Sequence, residues 1–393
     1  MNERMSAKNP PTLQGPGNFF LVVPPPFEEL AQQELKEKWP SFFGATPIPA
    51  IQVVKGGLEL ETSLRNGFLL NPLLKIPNRI LWRVAEFTCR DFPNLFKKIK
   101  KIPWRFYLSA LPELDITCRK SGLTDHRKII KAIHQGIEES FRHQPPQKST
   151  ATATLFVRLA EETCTLSMDT SGERLGIRGY KKFQGMAPLR ENLAAALVYL
   201  LQNECPGQGQ NLVDPLCGSG TILLESALFH WPNTARTYAY QSFPFCSTLK
   251  IPKIDGLEGL FRSYLGQDRD LQIISWAKEN CQNTVIPPGL VLLEQKDLFT
   301  PLEKELPQDL AIITNPPYGE RFSLKNPQHF FPELIETLLS RWRPKVMGII
   351  LPRPWANKIK LPDSYQKVRI LSFSHGGTDV QFLIVRPLAV LLS

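Results

Sequence analysis

The chain has 393 residues, 42% of them hydrophobic and 21% charged, as expected for a globular protein with two or three domains. It has no apolar run near the ~20 residues of a membrane-spanning helix, so no membrane association is expected. Its seven cysteines form no Cys-x-x-Cys pair and its six histidines lack metal-ligand spacing, which argues against a disulfide framework and a metal site. Residues 1–17 are polar and lack the apolar core of a signal peptide. We therefore predict a flexible leader on a cytoplasmic protein.

The net charge of +10 is concentrated in the first half of the chain. Residues 1–185 have 27 Lys and Arg against 18 Asp and Glu, a net charge of +9, whereas the remaining residues have 20 against 19, a net charge of +1. This asymmetry is expected if the first half binds a polyanion such as RNA. A solvated basic surface would give the same count, so charge alone leaves both interpretations open.

The first half is predicted to form two small α+β units, over 18–65 and 66–170. The first has the order β-α-β-β, with a strand at 19–23, a helix at 27–39 and two strands around Gly56-Gly57. The second is predicted to start with the segment 80–87 and to have strands at 114–119, 154–159 and 164–169 and a helix from Asp125. Neither unit has a nucleophile–base pair or a carboxylate pair at a recognisable spacing. Their function is therefore expected to be binding.

Candidate RNA-binding cations occur in two places. Some lie next to or on the helix that begins near Asp125, and others lie among the glycines of a linker over 171–187. Glycine allows close approach of another backbone, and cations suit phosphates, although a flexible hinge would have a similar composition. The candidates are Lys120, Arg127, Lys128, Lys131, Arg178, Lys181 and Lys182.

The second half, 188–393, is predicted to be a cofactor-binding α/β domain. A strand from Asn211 runs into a tight turn, Asp214–Thr221, where Gly218 and Gly220 allow a ligand to lie against bare backbone at the start of a helix. The turn lacks the lysine of a phosphate-binding loop and the third glycine of a dinucleotide fingerprint. Asp214 would repel a pyrophosphate but attract an ammonium group. The turn, including Cys217, therefore indicates a cofactor with a cationic amino-acid end, such as S-adenosylmethionine.

Two more aspartates follow predicted strands of this domain. Asp268 ends the second strand, where a carboxylate can accept from ribose hydroxyls, and Asp297 follows the third, where it could accept from an adenine amine. Each could instead be an ordinary helix N-cap. The distance between the first two strands requires an aromatic-rich insertion, about 231–261, that leaves and rejoins the fold.

The target site is predicted at the end of the fourth strand. The apolar run Leu310–Ile313 ends in Asn315-Pro316-Pro317-Tyr318, and two prolines cannot continue a strand ladder. The Asn315 side chain and the Pro316 carbonyl offer two acceptors for an exocyclic amine, and Tyr318 offers a flat face on which a base could stack. With a fifth strand at 345–351 and a closing hairpin through Gly376-Gly377, these elements indicate a Rossmann-like doubly wound mixed sheet.

These residues resemble the THUMP-domain guanine-N2 methyltransferases of ribosomal RNA. The resemblance runs from about Phe19 to the end of the sequence and includes the insertion. The motifs that carry it, in order, are Ser171–Leu175 (SGERL), Arg178–Tyr180 (RGY), Ala187–Leu197 (APLRENLAAAL), Asp214–Thr221 (DPLCGSGT) and Thr314–Arg321 (TNPPYGER). The resemblance implies a ferredoxin-like unit and a THUMP domain for RNA, followed by a class I methyltransferase domain.

The resemblance also implies residue roles. Asp214, Gly218 and Gly220 would hold the methionine part of S-adenosylmethionine, Asp268 the ribose and Asp297 the adenine edge. Asn315, Pro316 and Tyr318 would hold the target guanine. Met186 stands where a glutamate is expected. The sequence contains one such domain, so a second modification is not implied.

Several alternatives remain open at this point. The target could be guanosine of tRNA rather than of 23S rRNA. A DNA adenine-N6 or a protein-glutamine methyltransferase would use the same Asn-Pro-Pro-Tyr tetrad, although the basic first half favours RNA. A non-catalytic RNA-binding protein would be expected to have lost Asp214 or Asn315, and both are present. We expect direct in-line transfer with no covalent nucleophile, so that the Cys217 and Cys281 thiols serve packing.

Overall fold

The computed structural model describes residues 11–142, 153–185, 189–205, 211–246, 248–254, 257–301, 309–318 and 326–388. The chain divides into two compact units, each built around a seven-stranded sheet. The first unit contains Met1–Pro24, Ala31–Leu175 and Arg236–Lys253, and the second contains Pro25–Leu30, Gly176–Ala235 and Ile254–Ser393. No helix within the described ranges is both long enough and apolar enough to cross a membrane.

The sheet of the first unit has the strand order β2-β3-β1-β4-β7-β6-β5, with only β5 and β6 parallel. Its elements are β1 (Pro16–Val22), α1 (Glu28–Phe43), β2 (Ile51–Val54), β3 (Gly57–Ser63), α2 (Leu64–Leu73), β4 (Arg79–Thr88), α3 (Phe92–Lys100), β5 (Glu113–Arg119), α4 (His126–Phe141), β6 (Thr154–Ala160) and β7 (Thr163–Asp169). Because β4 pairs with both β1 and β7, the segments 18–65 and 66–170 contribute to one continuous sheet.

Side-chain caps fix where the helices of this unit begin. Asp125 accepts from the Lys128 amide at the start of α4, and Asp91 accepts from the Asn94 amide at the start of α3. The α4 face formed by Ile129, Ile133 and Ile137 is buried, as the helical repeat predicts. Helix α4 thus turns its apolar side inward and leaves its basic side exposed.

The insertion supplies aromatic side chains to the first unit. Tyr240 stacks on Phe68 with ring centroids 5.6 Å apart, and both side chains are fully buried. Phe243 and Phe245 pack against Trp82 of β4. Each such aromatic pair stabilises a fold by roughly 0.5–1.5 kcal/mol beyond its buried area. Tyr240, Phe243 and Phe245 therefore contribute to the aromatic core of this unit.

The second unit has the strand order β10-β9-β8-β11-β12-β14-β13. Strands β8 to β12 are parallel, and β14 is antiparallel to both of its neighbours. Its elements are α5 (Glu191–Asn203), β8 (Asn211–Asp214), α6 (Thr221–Ala227), β9 (Ser263–Asp268), α7 (Leu271–Gln282), β10 (Val291–Gln295), β11 (Leu310–Thr314), α8 (Pro327–Glu336), β12 (Val346–Pro352), α9 (Arg353–Ala356), β13 (Tyr365–His375) and β14 (Thr378–Pro387). This confirms the predicted doubly wound mixed sheet.

The topology creates a switch point between β8 and β11. These strands are neighbours in the sheet, but the chain continues from β8 towards β9 on one side and from β11 towards β12 on the other. In open α/β sheets, ligands bind in the crevice that forms outside the carboxyl ends of such strands. All five residues of β11 are buried, which holds its carboxyl end in a fixed position. Asp214 ends β8 and Asn315 follows β11, so both lie at this switch point.

Candidate active site at the carboxyl edge of the second sheet

The turn after β8 presents bare backbone to open space. Gly218 and Gly220 have φ of 53° and 83°, a region that favours glycine, and Gly220 is the N-cap residue of α6. A Cβ added at Gly218 would meet no atom within 4 Å. The turn is closed by the Gly220 amide, which donates to the Cys217 carbonyl over 2.9 Å. This geometry fits a ligand that lies directly on the backbone at Gly218.

The side-chain carboxyl of Asp214 has a raised pKa. Its side chain is only 1% exposed, and burial raises its pKa to about 7. The Thr314 hydroxyl and the Leu216 amide act in the opposite direction, and the nearby charge of Asp268 raises the pKa further. The Leu216 amide donates to Asp214 Oδ1 over 3.2 Å. A cationic ligand group beside this carboxyl would favour its ionised form, as the ammonium of an amino-acid ligand would.

Hydrogen bonds from backbone amides link the turn after β8 and the segment after β10 to Asp268 at the end of β9. Asp268 accepts from the Gly218 amide over 3.2 Å and from the Asp270 amide over 3.0 Å, one bond to each carboxylate oxygen. The Lys296 amide donates to the Asp268 carbonyl, which brings the residue before Asp297 to the end of β9. Asp297 accepts from the Phe299 amide over 2.9 Å. Asp270, and not Asp268, is the N-cap of α7.

The Cys217 thiol is buried beside this turn. Burial raises its pKa well above the usual range, so the thiol stays neutral and is a poor nucleophile. It points towards the carbonyl of Gly218, 3.6 Å away. Within the described residues, no group of three or more His, Cys, Asp or Glu could hold a metal ion.

Asn315 carries an unsatisfied acceptor at the end of β11. Its side-chain Oδ1 is buried, and none of the described residues donates a hydrogen bond to it. Buried polar atoms normally have a partner, so such an atom at a strand end calls for a ligand donor. Pro316 is buried next to it, and its ring fixes the direction in which the chain leaves the sheet. An amine carrying N–H bonds is the kind of group that this acceptor fits.

Tyr318 is half-buried and packs against the core of the second unit. Its phenol oxygen lies 2.9 Å from Nδ1 of His375, the last residue of β13. Burial raises the pKa of Tyr318 well above its ordinary value, so the phenol keeps its proton. His375 was not a predicted site residue. The only sequence signal for it is its place beside the Gly376-Gly377 turn of the hairpin.

The predicted RNA-binding cations of the first unit are all exposed: Lys120, Arg127, Lys128 and Lys131. Lys128 Nζ lies 3.7 Å from Asp125 Oδ2 at the surface. Exposed ion pairs of this kind are weak, so the lysine can still bind a phosphate. In the second unit, Lys182 is also exposed. These side chains can reach a polyanion in solution.

The structure corrects the expectation for Arg178. Its side chain is 3% exposed and donates to Glu225, itself 1% exposed, over 2.9 Å. Tyr180 donates to the same carboxylate over 2.8 Å. A buried carboxylate needs such partners, which is why the arginine turns inward and is not available to RNA. Lys181 is also largely buried, and its Nζ lies 3.2 Å from Oε1 of Glu191. Met186 lies outside the described residues.

The strand order, the glycine turn and the acidic strand ends together define the second unit as a class I methyltransferase fold, a class that uses S-adenosylmethionine as methyl donor. Residues 178–353 match the family described as UPF0020, RMKL-like, methyltransferase domain. The resemblance to ribosomal RNA methyltransferases that the sequence motifs indicated is thereby confirmed for this domain.

Several known proteins are similar over most of the chain. The ribosomal RNA large subunit methyltransferase K/L of Syntrophotalea carbinolica is 28% identical over 362 residues, which cover 85% of this chain and 49% of that protein. The protein of the same name from Desulfotalea psychrophila is 30% identical over 323 residues, which cover 75% of this chain and 42% of that protein. The chain thus spans less than half the length of these relatives.

A solved structure shares the fold. SMU.472, a candidate methyltransferase crystallised with SAH, superposes with a TM-score of 0.76 at 22% sequence identity. The superposition covers 95% of this chain and 99% of that one. The similarity therefore extends over both units.

Proposed function

We propose that this protein transfers a methyl group from S-adenosylmethionine to the exocyclic N2 of a guanosine in large-subunit (23S) ribosomal RNA. The observation that carries the proposal is the buried, unsatisfied Oδ1 of Asn315 at the switch point of a class I methyltransferase sheet. It supports an amine as the acceptor of the methyl group. The ribosomal substrate is supported by the names of the similar proteins, large-subunit ribosomal RNA methyltransferases K/L. We propose the cytoplasm as the site of the reaction, because such a substrate supports it.

The cofactor would be held by the residues at the ends of β8, β9 and β10. Asp214 and the backbone of Gly218 and Gly220 suit the amino-acid end, because a carboxyl with a pKa of about 7 ionises readily beside an ammonium. Asp268 would accept from the ribose hydroxyls with the lone pairs that its two backbone bonds leave free, and Asp297 would accept from the adenine amine. When bound, S-adenosylmethionine supplies the electrophilic methyl group.

The target base would be held by Asn315, Pro316 and Tyr318. The acceptors at Asn315 and Pro316 bind the amine protons, direct the nitrogen lone pair out of conjugation, and stabilise the positive charge that develops on nitrogen. Tyr318 stacks on the base, a contact worth roughly 1–3 kcal/mol. The remaining contribution is orientation, because no covalent nucleophile is required. A base within a helix must first be extruded from its stack.

The choice among nucleic acids has separate support. The net charge of +9 in the first half and the exposed cations of the first unit favour binding of RNA by the segments 18–65 and 66–170. In this proposal 171–187 connects them to the methyltransferase domain over 188–393. The preference for guanine over adenine rests on the family resemblance, since the acceptors of Asn315 and Pro316 suit either amine.

The proposal is tested with purified protein and labelled S-adenosylmethionine on four substrates: unmodified 23S rRNA, tRNA, duplex DNA and protein extract. We expect label in 23S rRNA only, and N2-methylguanosine after digestion to nucleosides and mass spectrometry. Label in tRNA, in adenine or in protein would contradict the proposal. The Asn315→Ala variant should keep its affinity for S-adenosylhomocysteine while turnover falls at least about a hundredfold. Full turnover in that variant would remove Asn315 from its assigned role.

A further inference from the structure

The position of Tyr318 is fixed by a residue far away in the sequence. Tyr318 leaves β11 behind two prolines, and its phenol oxygen meets Nδ1 of His375, 57 residues later, over 2.9 Å. The two rings are also in edge-to-face contact, with centroids 6.3 Å apart and planes at 76°. Because the buried phenol keeps its proton, it can donate to Nδ1 of a neutral imidazole. The ring therefore has two attachments: its own backbone and the hydroxyl at its far end.

His375 is itself buried at the end of a paired hairpin. It is 8% exposed and pairs with Thr378 across the end of the β13–β14 hairpin. Gly376 and Gly377, with φ of 60° and 84°, form the turn between these strands. Phe373, two residues before His375, packs edge-on against Phe27 at a centroid distance of 5.6 Å. The imidazole that meets Tyr318 is thus placed by the strand pairing and packing of the β13–β14 hairpin.

We propose that His375 is a positioning residue for the target base: its Nδ1 holds the Tyr318 hydroxyl and so sets the orientation of the ring on which the guanine stacks. The inference rests on the function proposed above, and it deepens that function by adding the β13–β14 hairpin to the base-binding part of the site. His375 touches neither base nor cofactor in this role. A purely structural histidine would fill space at the same place, so the two roles must be separated by more than loss of activity.

Two substitutions of similar size separate these roles. Asparagine places a polar atom near the position of the histidine Nδ1, whereas glutamine places one near Nε2. We expect His375→Asn to retain most of the wild-type kcat/KM on 23S rRNA. We expect His375→Gln to lower kcat/KM at least about tenfold, because the base that stacks on Tyr318 would then be misplaced relative to the methyl group. Tyr318→Phe, which keeps the ring and removes the hydroxyl, should lose a similar factor. Affinity for S-adenosylhomocysteine and Tm should change little in all three.

The decisive measurement is the double variant. If His375 acts through the Tyr318 hydroxyl, His375→Gln in the Tyr318→Phe background causes no further loss of kcat/KM, because the contact is already absent. If the two losses multiply, or if His375→Gln is as active as wild type, the inference is overturned. Equal losses for His375→Asn and His375→Gln would also overturn it, because they indicate a space-filling role.

A second readout needs no RNA. With 3-fluorotyrosine incorporated at position 318, we expect the ¹⁹F resonance to shift in His375→Gln and to stay near its wild-type position in His375→Asn. An unchanged resonance in His375→Gln overturns the inference even if the enzyme is active. If the resonance responds but the wild-type protein does not methylate RNA, then the proposed function fails, and with it the role of His375, while the Tyr318–His375 contact stands.

Discussion

The backbone amide of Gly218 donates to the carboxylate of Asp268 over 3.2 Å, which ties the turn after β8 to the end of β9 across 50 residues of sequence. This bond makes the glycine turn and the acidic strand end one structural feature. A substitution of either residue should therefore alter the position of the other.

Substitution of Gly218 by alanine should weaken cofactor binding. The new Cβ would enter the open space against the turn, so we expect affinity for S-adenosylhomocysteine to fall at least about tenfold, measured by calorimetry. A side chain at φ of 53° also costs stability, roughly 1–2 kcal/mol.

Gly289→Ala is the matched control for this change. Gly289 also has a positive φ, 85°, and open space around its missing Cβ, but it precedes β10 at the opposite, amino end of the strands. We expect a similar loss of stability and no loss of cofactor affinity. Equal affinities for the Gly218→Ala and wild-type proteins would show that the ligand does not lie on this turn.

The stability of the ligand-free protein should depend on Asp214 and pH. Its folded-state pKa of about 7 lies above the unfolded value of roughly 3.9, so the folded state holds the extra proton between these values. The contribution of Asp214 is therefore most favourable below pH ~4 and is lost as pH rises towards 7, by at most roughly 4 kcal/mol. Asp214→Asn should remove this part of the pH dependence, measured as the urea midpoint between pH 5 and pH 8.

Asp363→Asn, at an exposed carboxylate, serves as the control and should leave the profile unchanged. Because cofactor binding favours the ionised carboxylate, S-adenosylhomocysteine should bind more tightly at pH 8 than at pH 6 in the wild-type protein. A wild-type pH profile that Asp214→Asn does not alter would contradict this assignment.

The buried Arg178–Glu225 pair should be essential for stability. Glu225→Gln leaves the arginine charge buried without its counterion, which costs about 3–5 kcal/mol. Asp309→Asn breaks the exposed Lys345–Asp309 pair and should cost less than about 1 kcal/mol. Chemical denaturation of both variants measures the difference. Equal losses of stability in the two variants would mean that Arg178 is exposed to solvent. Arg178 would then again be a candidate RNA contact.

The basic face of α4 should contribute to RNA affinity through charge. Lys128→Ala and Lys131→Ala should each lower the slope of log K against log salt by about one, with little change in the specificity for sequence. Lys36→Ala, at an exposed lysine of α1, is the control for loss of a positive charge. Filter binding at several salt concentrations gives the slopes. An unchanged slope in the double Lys128/Lys131 variant would place the RNA elsewhere.

The sequence predicts the second sheet well because its signals are local. An apolar run followed by two prolines identifies β11 and places Asn315 at its end, and the glycine turn likewise identifies the start of α6. By contrast, α2 has buried residues on all sides and an internal proline, Pro72, so it shows no helical repeat. Elements buried all round lack the periodicity on which sequence interpretation depends.

Pairs that are distant in the sequence could not be predicted. Arg178 lies among glycines and has the character of a surface residue, and only the fold brings Glu225, 47 residues later, against it. His375 meets Tyr318 for the same reason. In both cases residue type is evident from the sequence, but the partner is a property of the topology.

The aromatic segment 236–253 limits how this protein can be divided. Phe68 loses its stacking partner Tyr240 in any fragment that ends before the methyltransferase domain, and a fragment that starts at residue 188 carries Tyr240, Phe243 and Phe245 with nothing to cover them. The two halves should therefore not be exchangeable between relatives as separate domains. The aromatic side chains of the insertion and the residues of the first unit that they contact should therefore vary together among relatives.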